Sequence, residues 1–452
     1  MKVKLAAVTA LTDPSPRSMS RRGLLGALAA SVAAVSVAAV PGCASRGNAA
    51  EPGAAGIRFS WWGNEDRART TQNVIELFER RYPHLTVKGE YRGFDRYFDE
   101  LNSSVGAGRA PDVITMGGSY PAEYAARGAL LDLSTVGDVL RTGRLHRGAL
   151  ADGRVGGRQY GIPSGLNTFS VIADVRVFQR AGVALPDDSM WSWNDFQRIA
   201  RAVAGKSPPG TYGVADFTRT ETLDLFSRQR GESLFTRARG AGISECTMRD
   251  LWGMTTALCA AKAAPSAAMT SELAGESLPE RTLMGRGLAG MQFDWSNQLS
   301  ALSKYSGHEL QLLRAPGESV EPLRGMWVQA SQVYTINAAT RSPGEAALFV
   351  DFLVNRPEAG RALLTDRGLP ANQDVRAEIT PDLTPEQREE ASFIDRVSLN
   401  TDPDRPLIFG PSGAGDIREV LGRLNDDVLS GRKSVGGAAR EFVTLVDIAL
   451  RA

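Results

Sequence analysis

Four of the seven tryptophans in this 452-residue chain sit beside amides and charges. Two open the run Trp61-Trp62-Gly63-Asn64-Glu65-Asp66-Arg67, one lies in Asp294-Trp295-Ser296-Asn297, and one in Arg324-Gly325-Met326-Trp327-Val328. An indole plane packs on a flat C–H face while carboxylates, amides or guanidiniums hold hydroxyls at its rim, so this combination suits a polyhydroxylated ring. Trp61 and Trp62 are neighbours in a predicted strand and point to opposite sides of it, so at most one faces a ligand. Trp62 is the favoured one; the alternative is that both are core. Asn64, Glu65, Asp66 and Arg67 fall where a helix begins, which makes each either a ligand contact or a cap and dipole partner.

Ser119, in Met116-Gly117-Gly118-Ser119-Tyr120, is either a helix cap or a ligand donor, beside glycines that let backbone N–H groups approach. Asp294 would accept two hydroxyls while Trp295 stacks, and this is the strongest pair in the chain. Trp327 is a candidate to close over a ligand, with hinge packing as the alternative, and Asn167 could reach the same ligand from a connecting segment. Trp191, Trp193 and Trp252 read as structural. A pair of carboxylates such as Asp66 and Asp294 would be needed for glycoside hydrolysis, but nothing in their spacing selects that over binding. The chain has neither a Gly-x-Ser-x-Gly elbow nor a Walker-type phosphate loop. His84, His146 and His308 are scattered, so no metal site or cofactor is expected. Cys246 and Cys259 fall around a predicted helix over 248–264 that would hold them too far apart to bond, and both are expected as buried thiols.

The elements that must carry these residues alternate. Ile57 to Trp62 reads as a strand, followed by a helix from about Arg67 with Val74, Leu77, Phe78 and Tyr82 on one face, stopped by Pro83. A second strand over 85–91, a helix with Phe94, Tyr97, Phe98 and Leu101, and a short apolar strand over 111–116 complete a βαβαβ unit. That order implies an open doubly wound sheet with ligands beyond the carboxyl ends of its strands. A second unit begins near Gly161-Ile162-Pro163, with a strand over 168–173 and a helix opened by the capping-box spacing Ser192 to Asp195. The segment 231–242 reads as loop, 287–293 and 329–336 as strands, and 343–353, 386–397, 415–429 and 435–449 as helices.

The first 43 residues are expected to lie outside the fold. Ser20-Arg21-Arg22-Gly23 leads into an alanine-rich apolar run ending at Val40, the layout of a secretory signal. Its paired arginines resemble a twin-arginine signal. Val40-Pro41-Gly42-Cys43 resembles a lipobox, although Pro41 departs from the usual small residue, so Cys43 is the expected lipidation site and 44–56 a flexible tether. Ordinary cleavage leaving a free N-terminus is the alternative. Acyl chains on Cys43 would hold the protein at a membrane without a spanning helix. About 400 residues remain, enough for two cores. The formal charge is +1, and five basic residues against Asp13 in the leader leave about −3 for the rest, which gives no footprint for nucleic acid.

The chain resembles the carbohydrate-binding proteins of extracellular solute-binding family 1, which serve ABC importers. The resemblance is carried by Phe59-Ser60-Trp61-Trp62-Gly63, by Phe78-Glu79-Arg80-Arg81-Tyr82-Pro83 and by Ala110-Pro111-Asp112-Val113. It continues in Tyr160-Gly161-Ile162-Pro163, Trp193-Asn194-Asp195-Phe196, Gly290-Met291, and the closing Ala346 to Leu353 with Arg367-Gly368-Leu369-Pro370-Ala371-Asn372. Ile172-Ala173-Asp174 departs from the Tyr-Asn pair that members often carry there. The resemblance implies an α/β protein of two lobes, each an open, mostly parallel sheet flanked by helices, joined by crossover segments and closing on ligand by hinge motion. It places one lobe at 57–166 with 323–371 and the other at 167–322 with 372–452. It also implies a monomer without catalysis that hands a carbohydrate, an oligosaccharide by expectation, to permease subunits and their ATPase. A non-sugar cargo on the same fold, or a secreted glycosidase, are the competing expectations.

Overall fold

The computed structural model describes residues 55–118, 120–236, 241–273, 278–401 and 415–451. Cys43, the signal, most of the tether and Ser119 lie outside the described residues. Ala55 and Gly56, expected in the tether, already belong to the first strand.

Among the described residues, ten strands build two open sheets. The first contains β1 (Ala55–Trp62), β2 (Leu85–Arg92), β3 (Val113–Met116), β4 (Gly161–Pro163) and a late strand, β10 (Val333–Ile336). The second contains β5 (Leu166–Asp174), β6 (Tyr212–Val214), β7 (Ala289–Trp295) and β8 (Leu310–Leu313), with β9 (Val328–Ala330) paired to β5. The strand orders are β2-β1-β3-β10-β4 and β8-β5-β7-β6. In β1 the alternation predicts the burial: Ile57, Phe59 and Trp61 point into the core while Arg58 and Trp62 stay half-buried. The helix Glu65–Arg81 lays Thr71, Val74, Ile75 and Phe78 on that sheet. Phe78 meets Phe349 of the helix Pro343–Asn355 edge-on at 5.0 Å. Burying each such large apolar side chain contributes roughly 1.5–3 kcal/mol, so this layer fixes where the end of β1 sits.

The expected α/β class with two open sheets and crossovers is what the chain forms, with one refinement. The β2-β1-β3 half is parallel, as a βαβαβ order requires, but β10 runs antiparallel to both β3 and β4. In the second sheet only β7 and β6 are parallel, and β5 is antiparallel to β7, β8 and β9. The second sheet is therefore mixed rather than mostly parallel.

The stretch 329–336 is not one strand but two in different sheets, because Ser331 and Gln332 carry the chain from β9 to β10. Ser164 and Gly165 do the same between β4 and β5. The two crossings lie together: Ser331 N donates to Gly165 O at 2.9 Å, and Ser164 N donates to Gln332 O at 2.9 Å. A third segment joins them, since Leu166 N donates to Leu369 O at 2.6 Å. A Cβ on Gly165 would stand only 2.4 Å from Arg367 O, so glycine is needed for this approach.

Three further details differ from expectation or sharpen it. Part of the loop at 231–242 pairs as a short hairpin, Ser233–Phe235 with Ala241–Gly242. Both cysteines are unbonded on the helix Glu245–Ala260, but Cys246 is exposed and Cys259 half-buried, because Cys246 lies in the first turn on the solvent face. The helix Trp193–Lys206 opens with the full capping box between Ser192 and Asp195. Among the described residues, no helix is long and apolar enough to cross a membrane.

Candidate functional site

The candidate residues separate into two groups, one at the end of β1 and one at the end of β7. At β1 the indole of Trp61 is 2% exposed, 5.0 Å from Phe59 and stacked 6.1 Å from Tyr91. Its Nε1 is buried without a hydrogen-bond partner, so this ring serves packing. Trp62, on the opposite face, is half-buried and meets the edges of Phe94, Tyr97 and Phe98 at 5.4–5.7 Å. Gly117, just beyond β3, lies against it; a Cβ there would come within 3.4 Å of the Trp62 ring.

The polar residues after β1 are largely occupied. The Asn64 side chain accepts from Arg67 N at 3.0 Å and caps the helix. Arg67 donates to Asp366 O at 2.8 Å and sits 3.3 Å from the Asp366 carboxylate, which ties it across the sheet. Asp66 pairs with Arg69 one turn on, and Glu65 is exposed in the first turn, where an acid favours the helix dipole. None of these residues belongs to the lining of the cavity at the second group.

At β7 the strand ends in Gln292-Phe293-Asp294-Trp295, and the register with β5 sets Asp294 opposite Ser170, whose hydroxyl donates to Asp294 O at 3.0 Å. The Asp294 carboxylate accepts from Gln292 Nε2 and from Trp295 N, both at 2.8 Å, and lies 3.5 Å from Arg219 Nη1. Arg219 is positioned by its bond to Phe293 O at 3.2 Å and by the face of Phe169, 5.8 Å away. Beyond it stands Glu221, 3.9 Å from Arg219 Nε and accepting from Arg418 Nη2 at 3.2 Å. Trp295 turns its ring edge-on to Phe169 at 5.3 Å and to Trp327 at 6.3 Å.

These groups line a cavity of about 570 Å³, within the size range of small-molecule sites. Its lining residues all lie between 215 and 426, so Asp294 and Trp295 face it while Trp62 does not. Asn167 and Trp327 stand behind the site. Asn167 is 6% exposed and accepts from Ser296 Oγ at 2.7 Å, which fixes the turn after Trp295. Trp327 is 5% exposed and donates through Nε1 to Gln329 at 2.7 Å, so it braces Trp295 from just before β9. Glu390 lies beneath the same turn; burial, opposed by a hydrogen bond from Ser296, pushes its carboxyl up to about 8.

The sequence reading missed Arg219, Glu221, Gln292 and Arg418. Arg219 and Glu221 follow β6, only three residues long, which gives too little alternation to recognise. Had Tyr212-Gly213-Val214 been read as a strand, the rule that sites gather beyond strand ends would have pointed to them. Arg418 arrives from a helix 197 residues after Glu221, a meeting that only the fold creates. The chemistry available is a flat apolar wall with hydrogen-bond acceptors and guanidinium donors at its rim.

Comparison with known proteins agrees with this architecture. Residues 62–359 match the family model of the bacterial extracellular solute-binding proteins. An uncharacterized lipoprotein of Streptomyces antibioticus is 26% identical over 319 residues, which span 68% of each chain. Among solved structures, an extracellular solute-binding protein of family 1 from Alicyclobacillus acidocaldarius is 25% identical with a TM-score of 0.71, covering 88% of this chain and 98% of its own. A periplasmic oligogalacturonide-binding protein from Yersinia enterocolitica, in complex with saturated digalacturonic acid, shares the fold with a TM-score of 0.74 at 20% identity, covering 88% and 99%. With the model matching well over half of its length, the chain belongs to the bacterial extracellular solute-binding protein family.

Proposed function

We propose that the protein is the extracytoplasmic solute-binding subunit of an ABC importer, held at the cell membrane through Cys43, that captures a carbohydrate and delivers it to a permease. The observation that carries this reading is the pairing of Trp295 with Asp294 on the wall of a cavity of about 570 Å³. An indole face and an ionisable acceptor on a rigid strand end answer the two demands of a sugar ring, its C–H face and its hydroxyls. A neighbour of the same fold that carries digalacturonic acid supports the cargo class. The lipid anchor draws support from the lipoprotein relative. We assign no reaction to the site, and the role is capture by one monomer.

The lobes are assigned to 57–166 with 323–371 and to 167–322 with 372–452, closing about the three bonded crossover segments. In that closure Trp62 would approach from the first lobe toward ligand held at β7. A thermal-shift screen tests the reading, because a ligand that binds only the folded state raises stability by mass action. Stabilisation by mono- or oligosaccharides is expected. Stabilisation solely by amino acids, peptides or metal ions would overturn it. Acyl labelling that disappears in Cys43→Ala, together with loss from the membrane fraction, is the expected result for the anchor.

A further inference from the structure

We propose that the cavity at the end of β7 selects a saccharide bearing no acid group, with Asp294 and Glu221 as the residues that reject a carboxylate; this rests on the saccharide reading above. The lining carries two guanidiniums, and both are already matched within it. Arg219 lies 3.5 Å from Asp294 and 3.9 Å from Glu221, and Arg418 lies 3.2 Å from the other oxygen of Glu221. Two more carboxylates belong to the wall, Asp216 and Asp426. Asp426 is engaged by Arg432 and by Ser271 Oγ at 2.6 Å. Asp216 is half-buried and accepts from Thr218 N at 3.3 Å, and desolvation raises its pKa so that its charge is disfavoured.

Among the described residues, the cavity therefore offers no cation that lacks a carboxylate partner. A uronate entering it would surrender hydration of its own carboxylate and meet Asp294 and Glu221 instead of a free guanidinium, and both costs act against binding. A hydroxyl meets no such penalty, since it can donate to a carboxylate lone pair or accept from Arg219. An amine on the ring would be tolerated for the same reason, as it donates without adding negative charge. The ion pairs thus act as a charge filter: they present donors and acceptors together, but no net positive field.

Isothermal titration of the purified protein against neutral, amino-bearing and uronate oligosaccharides of matched length tests this. Neutral or amino sugars are expected to bind at least about tenfold tighter than any uronate, the size expected when one like-charge contact must be desolvated. Glu221→Gln leaves Arg418 and part of Arg219 unmatched, so uronate affinity should rise by roughly tenfold relative to the neutral sugar. Asp294→Asn serves as the second variant should Glu221→Gln melt early. Uronate binding equal to or tighter than neutral binding in the unaltered protein overturns this inference alone. An unchanged ratio in both variants overturns the roles given to Glu221 and Asp294. Binding of no saccharide of any charge overturns the saccharide reading and this inference with it.

Discussion

The ends of β1 and β7 look alike as sequence, each a strand closing on tryptophan and followed by polar residues that start a helical turn, yet the fold uses them in opposite ways. At β1 the polar groups turn inward on the scaffold: Asn64 caps, Arg67 reaches Asp366, and Trp61 is sealed in the core. At β7 the scaffold turns toward the polar groups. Asn167 and Trp327 are buried behind the turn so that Asp294 and Trp295 can face a cavity. Beneath each end lies a buried ionisable side chain of opposite type. Arg367, under Trp61, donates to Thr71 Oγ1 at 2.7 Å, and burial lowers its pKa. Glu390, under Trp295, keeps one oxygen without a partner. A tryptophan at a strand end is thus no guide to a site until the groups behind it are known.

The sharpest way to break the comparison is Trp61→Ala. Deleting a fully buried indole should cost about 3–5 kcal/mol of stability, read as a large drop in the melting temperature without ligand. Ligand affinity of the remaining folded protein should hardly change. A melting curve like that of the unaltered protein would mean that Trp61 is not core and that the two strand ends are more alike than the burial of Trp61 implies.

Next in size is Glu390. Its carboxyl is raised from an ordinary 4.5 to about 8 by burial, so the folded protein holds this proton more tightly than the unfolded chain does. Stability from this group is therefore full below pH 4.5 and is lost as pH climbs toward 8, by on the order of a few kcal/mol. Glu390→Gln should flatten that part of the stability profile between pH 5 and 8 in denaturant titrations. A profile that keeps its slope in the variant would remove Glu390 as its source.

Asp294→Ala should act on binding instead. Loss of a charged acceptor of sugar hydroxyls removes on the order of 1–3 kcal/mol, roughly tenfold to a hundredfold in affinity. The melting temperature without ligand should move little, because the side chain's partners, Gln292, Arg219 and the Trp295 N–H, all belong to residues that line the cavity. Unchanged affinity would move the site away from β7. The smallest effect belongs to Asn64→Ala, where removal of a helix cap costs about 1 kcal/mol and leaves affinity intact. A loss of affinity there would restore the end of β1 to the binding surface even without closure.

Much of this was legible in the chain itself. Alternation in β1, the stripe of the helix that follows, Pro83 as a stop and the Ser192 to Asp195 capping box are local signals, and the elements form where those signals place them. The helix over 415–429 matches its expected bounds because its apolar period is long and uninterrupted. Short strands defeated the same reasoning: β6 has too few residues for a period, and β9 and β10 read as one run although they enter different sheets.

The sequence by itself determined the alternating elements, the family resemblance and the presence of indoles beside carboxylates at strand ends, because each depends on residues close together in the chain. Which of those indoles meets open space was decided only by tertiary structure. Gln292 and Asp294 lie near each other in sequence, but Arg219 is brought to them by the pairing of β6 with β7, and Arg418 by a late helix that packs beside Glu221. Ion pairing and burial depend on distances through space, and in a chain that crosses between two sheets those distances bear no fixed relation to separation along it.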